Sequence, residues 1–138
     1  MKLHENPTLF QNAVQATAMH LGIPDIFVEK DYWLVTILKK LSESPYRDIF
    51  VFKGGTSLSK AFGLIERFSE DVDLALLAQD LSGNQVKSRI DKVSKEITRH
   101  LEEVQIEGTT KKWSRFRRTA HRYPMVTAQE IQAQITAY

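Results

Sequence analysis

Residues 52–76 read FKGGTSLSKAFGLIERFSEDVDLAL. Two glycines, Gly54 and Gly55, open a run of hydroxyls, and Asp71 and Asp73 close it one residue apart. Side chains alternate along a strand, so the two aspartates share one face and their carboxylates can enter one cation's coordination sphere. Mg²⁺ takes few protein carboxylates and keeps room for water and substrate phosphates. Val72 between them faces the core in this reading. The glycine turn supplies a counterpart: without a Cβ, Gly54 and Gly55 let backbone approach a ligand closely. N–H groups opening the helix after such a turn favour an anion. Thr56, Ser57 and Ser59 add hydroxyl donors, and Lys60 adds a positive charge. The stretch therefore reads as a triphosphate cradle beside a metal site. It is neither a Walker A loop nor a dinucleotide-binding glycine fingerprint, since neither string occurs.

The surroundings give this stretch a fold. Residues 7–21 predict a helix with Phe10, Val14, Met19 and Leu21 on one side, Thr8 as cap and Gly22 as stop. Residues 24–41 predict a second helix, with Phe27, Trp33, Leu34, Ile37, Leu38 and Leu41 on a broad apolar face and Pro45 beyond its end. DIFVF (48–52) reads as a buried strand, 57–62 as a short helix and 72–77 as a second strand. Over 83–107, Val86, Ile90, Val93, Ile97, Leu101 and Val104 form one continuous stripe, which predicts a single long helix serving the core. A strand is expected around 115–123, and a short helix or frayed end over the last residues. The order indicates an α/β (α+β) fold, a small mixed sheet flanked by helices.

A length of 138 residues suits one domain. It divides into N-terminal helices (1–45), the strand–turn–strand motif (46–80), the long helix (83–107) and a basic C-terminal segment (109–138). The absence of cysteine excludes disulfides and thiolate zinc sites. His4, His20, His100 and His121 lack ligand spacing. No stretch approaches the ~20 apolar residues of a membrane helix, and no secretory signal opens the chain, so a cytoplasmic protein without membrane contact is expected. The net charge of +2 conceals a division: residues 1–108 carry −3 and residues 109–138 carry +5. Lys111, Lys112, Arg115, Arg117 and Arg118, with aromatics between them, are candidate RNA contacts; a solvated basic face is the plainer reading. Glu29, Lys30 and Asp31 read as a helix-surface ion-pair group. Ser69 reads as a brace for the loop, and Arg67 as a partner of Glu70 or Asp71 or, equally, of a phosphate.

The stretch resembles the nucleotidyltransferase signature, G-G-[ST] followed by D-x-D. Through GGT, LSK, RFSEDVDL and the preceding VEKDYWL (28–34), it is similar in detail to the AbiEii/AbiGii-type toxins of abortive-infection and toxin–antitoxin systems. The resemblance covers 24–77 well and the helix after it loosely. It implies a polymerase-β-like minimal nucleotidyltransferase core, with Asp71 and Asp73 as metal-binding catalytic aspartates and Gly55, Thr56 and Ser57 as the phosphate-holding turn. It implies a nucleoside triphosphate substrate, Mg²⁺ (or Mn²⁺), an acceptor such as a tRNA 3′ end or other RNA, and a cognate antitoxin. Two departures stand out. Members of that family are longer, with a C-terminal helical domain, so a C-terminal truncation is expected. They also carry a third carboxylate on a later strand, in a setting like IKLEI, where this chain offers only Glu130. The alternative reading is a catalytically incomplete remnant that binds nucleotide or antitoxin.

Overall fold

The structure is a computed structural model that describes residues 2–63, 71–108, 110–113 and 115–127, and the backbone of 133–137. Helix α1 (Pro7–Leu21) opens behind Asn6, whose side chain accepts the Leu9 N–H at 3.1 Å. Asn6, not Thr8, is the cap; Pro7 fills the first helical position, where its missing N–H costs nothing. Gly22 closes the helix in the left-handed region. The buried residues are Phe10, Val14 and Ala18, a strict step of four. Met19 and Leu21 fall off that stripe and are exposed.

Helix α2 (Asp25–Ser42) buries Trp33, Leu34, Ile37 and Leu41 as expected. The next strand is β1 (Phe50–Lys53), because Arg47–Ile49 turn as a 3-10 helix first. Helix α3 (Gly54–Lys60) starts directly on the glycines, three residues earlier than expected. Strand β2 (Asp71–Leu76) follows, then α4 (Gly83–Thr98). A capping box starts α4: Ser82 accepts from the Gln85 N–H, and the Gln85 side chain accepts from the Ser82 N–H.

The long helix expected over 83–107 ends at Thr98. Its stripe holds through Val86, Ile90, Val93 and Ile97, all buried. Thr98 then turns its hydroxyl back to the Ser94 carbonyl at 2.7 Å, a local bond that competes with helix propagation. Beyond it, Glu102–Val104 forms β3. Leu101 and Val104 suit a helical stripe on paper, but Val104 pairs with Ala120 of β5 (Phe116–Arg122) and Leu101 lies one residue before β3. Strand β4 (Lys111–Trp113) pairs with the other half of β5, Trp113 opposite Phe116. The expected C-terminal helix or frayed end is also overturned: Ala133–Ala137 is strand β6, inserted between β2 and β5. A five-residue strand with the sequence AQITA carries too little periodicity to be told from a helix end.

The sheet runs β1-β2-β6-β5-β3, with β4 also on β5; β2 and β6 are parallel and the other pairs antiparallel. The fold is thus α+β with a mixed sheet. Its main core joins Leu34, Ile37 and Leu41 of α2 to Phe50, Val72 and Leu74 of the sheet and the α4 stripe. A second cluster joins Phe10 and Val14 of α1 to Trp33 and Tyr123.

Glu29, Lys30 and Asp31 do not form a surface group. Glu29 and Lys30 are buried. Both Glu29 carboxylate oxygens are used: Oε1 accepts the Val126 N–H at 2.7 Å, and Oε2 accepts the Thr127 N–H at 2.9 Å and the Thr127 hydroxyl. A buried carboxylate is tolerated when several donors converge on it, as here. The bond ties α2 to the segment that leads from β5 towards β6, nearly a hundred residues along the chain. Glu29→Ala takes the acceptor from the Val126 and Thr127 N–H groups and is expected to cost about 3 kcal/mol. Urea unfolding followed by circular dichroism measures this; a loss below about 1 kcal/mol contradicts the clamp.

Candidate active site

The burial of β2 alternates as its sequence requires. Val72 and Leu74 are fully buried, whereas Asp71 and Asp73 are half-buried on the opposite face. The β1–β2 register places Lys53 opposite Asp73, so Gly54 lies one residue past the pair. Gly54 has φ 80°, a conformation that other residues adopt only at a cost. A Cβ built there would lie 3.1 Å from Asp73 Cγ and 3.2 Å from its Cβ, and closer still to the carboxylate oxygen Oδ2. The glycine turn and the second aspartate are therefore in van der Waals contact, fifteen or more residues apart in the chain.

Thr56 makes the second link. It is buried, and its hydroxyl donates to the backbone carbonyl of Asp71 at 2.5 Å. The Ser59 hydroxyl turns back to the Thr56 carbonyl, and Ser57 is buried. Of the three hydroxyls read as phosphate donors, Thr56 thus holds the turn against β2 and Ser59 bonds back within α3. What the turn offers a phosphate is its backbone: the first N–H groups of a helix have no acceptor within that helix. Gly55, Thr56 and Ser57 occupy that first turn of α3. Gly55 is helical there, so the conformational demand falls on Gly54 alone. Lys60 forms an ion pair with Asp31 of α2, which anchors the end of α3. Lys53, which no sequence motif marks, is exposed and lies opposite Asp73 through the β1–β2 register.

Two oxygens of paired aspartates on one face suit one hard divalent cation. Among the described residues no group of three His, Cys, Asp or Glu side chains stands ready to hold a metal. Glu130, the acidic residue considered for a third carboxylate, lies outside the described residues, as do Arg67, Ser69 and Glu70.

The basic segment divides. Arg117 is buried and structural: Nε donates to Ser94 Oγ at 3.1 Å, Nη1 to Asp91 at 2.7 Å and Nη2 to Glu103 at 3.0 Å. Lys112 also pairs with Glu103. Burial pushes the Glu103 carboxyl up, but the hydrogen bond from Lys112 and the Arg117 and Lys112 charges outweigh it and leave it lowered. Asp91 is lowered by its hydrogen bond from Lys95, with Arg117 adding its charge. His121 in β5 is pulled down to about 4 by burial, so it adds no charge at neutral pH. The outward part is the β4–β5 tip. Trp113 is 68% exposed, with Lys111 over its ring at 5.9 Å and Phe116 tilted against it at 5.8 Å. Arg115 stands exposed between the strands, and Arg118 is half-buried in β5.

With this geometry in view, one comparison is decisive. The family model described as nucleotidyl transferase AbiEii toxin, type IV toxin–antitoxin system, matches residues 36–136. The chain belongs to this family. The match spans both aspartates, the glycine turn, strands β1 to β5 and β6 as far as Thr136, but it begins after the VEKDYWL segment. No curated protein and no solved structure is detectably similar. No helix among the described residues is long and apolar enough to cross a membrane.

The contact between turn and aspartate is open to a direct test. Gly54→Ala forces an alanine to φ 80° and drives its Cβ into Asp73. Gly63→Ala forces a similar φ, 62°, into open space. The Gly63 change is expected to cost about 1–2 kcal/mol and the Gly54 change at least about 1 kcal/mol more. Pairing Gly54→Ala with Asp73→Ala should remove most of the excess, since only the Asp73 Cβ contact at 3.2 Å remains. Equal losses in both single variants would contradict the contact.

Proposed function

We propose that this AbiEii-family chain binds a nucleoside triphosphate across the Gly54–Ser57 turn and the Asp71–Asp73 face, and acts as a Mg²⁺-dependent nucleotidyltransferase toxin. In that reaction an acceptor hydroxyl attacks the α-phosphorus, the new phosphoester forms and pyrophosphate leaves. The single observation that carries the reading is the contact of Gly54 with the Asp73 carboxylate. It brings an anion-binding turn and an anionic pair to one spot, an arrangement that is repulsive for a phosphate unless a cation intervenes. Asp71 and Asp73 would hold that cation, Mg²⁺ or Mn²⁺. Once bound, it supplies charge neutralisation to the phosphates and polarises a phosphoryl oxygen.

The chain's own residues do the rest. First-turn N–H groups of α3 orient the triphosphate. Thr56 fixes the distance between turn and β2 through the Asp71 carbonyl. Lys53, across from Asp73, adds a cation at the site's edge. The acceptor is an RNA end, a tRNA 3′ end among the candidates. The β4–β5 tip would receive it, with Trp113 as a stacking surface and Lys111 and Arg115 as phosphate contacts. The family's assignment to toxin–antitoxin systems supports a cognate antitoxin protein as partner.

The assignment of the aspartates is testable by calorimetry. Asp71→Asn with Asp73→Asn should weaken Mg²⁺-dependent nucleotide binding by at least about ten-fold. Folding stability should hold or rise, because two like charges on one face are removed. Unchanged affinity in the double variant would refute it.

A further inference from the structure

Strand β6 pairs with β2 in parallel, Asp71 with Gln134, Val72 with Ile135, Asp73 with Thr136 and Leu74 with Ala137. Side chains alternate along each strand, and neighbouring strands lie roughly 4.8 Å apart. Positions 134 and 136 therefore belong to the same alternating set as the two aspartates, one strand away. On the other flank, β1 sets Lys53 beside Asp73. The sheet positions bordering the aspartate pair thus carry an amide, a hydroxyl and an ammonium, and none carries a carboxylate. Two carboxylates balance one divalent ion. A second ion would add two positive charges that these bordering sheet positions, Lys53 among them, do not offset.

We infer that this chain holds a single divalent cation with its nucleotide, and that the neutral residues Gln134 and Thr136 set that limit. The inference rests on Asp71 and Asp73 being cation ligands, and it adds which position fixes the ion count. Transfer chemistry of the two-ion kind depends on carboxylates that fix both ions. The register leaves the second ion position of the proposed site without a carboxylate from β6. A single substitution at position 134 would then supply the missing charge.

The test counts Mn²⁺ ions by electron paramagnetic resonance on the full chain, alone and with a non-hydrolysable nucleoside triphosphate analogue. The wild-type complex is expected to hold one ion per chain. Gln134→Glu should bind Mn²⁺ alone at least about ten-fold more tightly, as expected for an added carboxylate ligand, and its complex should hold two ions. The same variant should melt lower in chelator and recover with Mn²⁺, since three carboxylates repel until a cation joins them. Thr136→Asp serves as a second variant with the same expectation, should Gln134→Glu fail to fold. Glu130→Gln should leave the ion count unchanged. Two ions in the wild-type complex would overturn the inference while upholding the nucleotide site. So would a lower count on changing Glu130, or an unchanged count and affinity on changing Gln134. Failure of the wild type to bind either nucleotide or Mn²⁺ would instead overturn the aspartate assignment, and this inference with it.

Discussion

The site depends on a glycine that has no room for a side chain. Gly54 sits where β1 ends and α3 begins, in a left-handed conformation, with the Asp73 carboxylate occupying the space of its absent Cβ. The antiparallel register of β1 and β2 fixes this approach, since Lys53 already pairs with Asp73. Thr56 then binds the Asp71 carbonyl, so turn and strand meet at two points. The glycine turn and the acidic strand are consequently built as one unit. The buried residues of β2, Val72 and Leu74, lock that unit to the core formed by α2 and α4.

Charge in this protein is spent in two ways. Buried charges hold the frame: Glu29 gathers the chain that leads to β6, and Arg117 joins α4 to β3 through Asp91, Ser94 and Glu103. Such groups tolerate burial because donors and acceptors are matched around them. The half-buried aspartates differ, since they face away from the core with Lys53 alongside. A basic sequence segment is accordingly a poor guide to a basic surface. Of its cations, Arg117 is consumed internally and Lys112 pairs with Glu103, which leaves Lys111, Arg115 and the exposed Trp113 to define what the β4–β5 tip offers a partner.

Local pattern made the site legible and long-range pairing hid its surroundings. The G-G-T turn, the D-x-D alternation and the α4 stripe all depend on residues a few positions apart, and each stands in the fold, the stripe as far as Ile97. The roles of the hydroxyls were not legible, because Thr56 bonds to a carbonyl fifteen residues away. The helix stop at Thr98 was masked by Leu101 and Val104, which continue a helical step while belonging to a strand or its approach. Strand β6 was missed for the same reason: its five residues acquire strand character from β2 and β5 on either side. Glu29 read as a surface acid because its three donors come from residues 126 and 127. The signal that could have raised suspicion is its place beside Trp33 and Leu34 on a helix with a broad apolar face.

The central claim is that nucleotide binds where the glycine turn meets the two aspartates. Titration of the ¹⁵N-labelled chain with a nucleoside triphosphate and Mg²⁺, followed amide by amide in nuclear magnetic resonance spectra, tests it most directly. The account predicts that the largest shifts fall on residues 54–57 and 71–73, and that they vanish when Mg²⁺ is withheld. The most plausible rival location is the cavity of about 370 Å³ lined by Tyr32, Lys39, Lys40 and His100. Shifts concentrated there, with the amides of 54–57 silent, would contradict it.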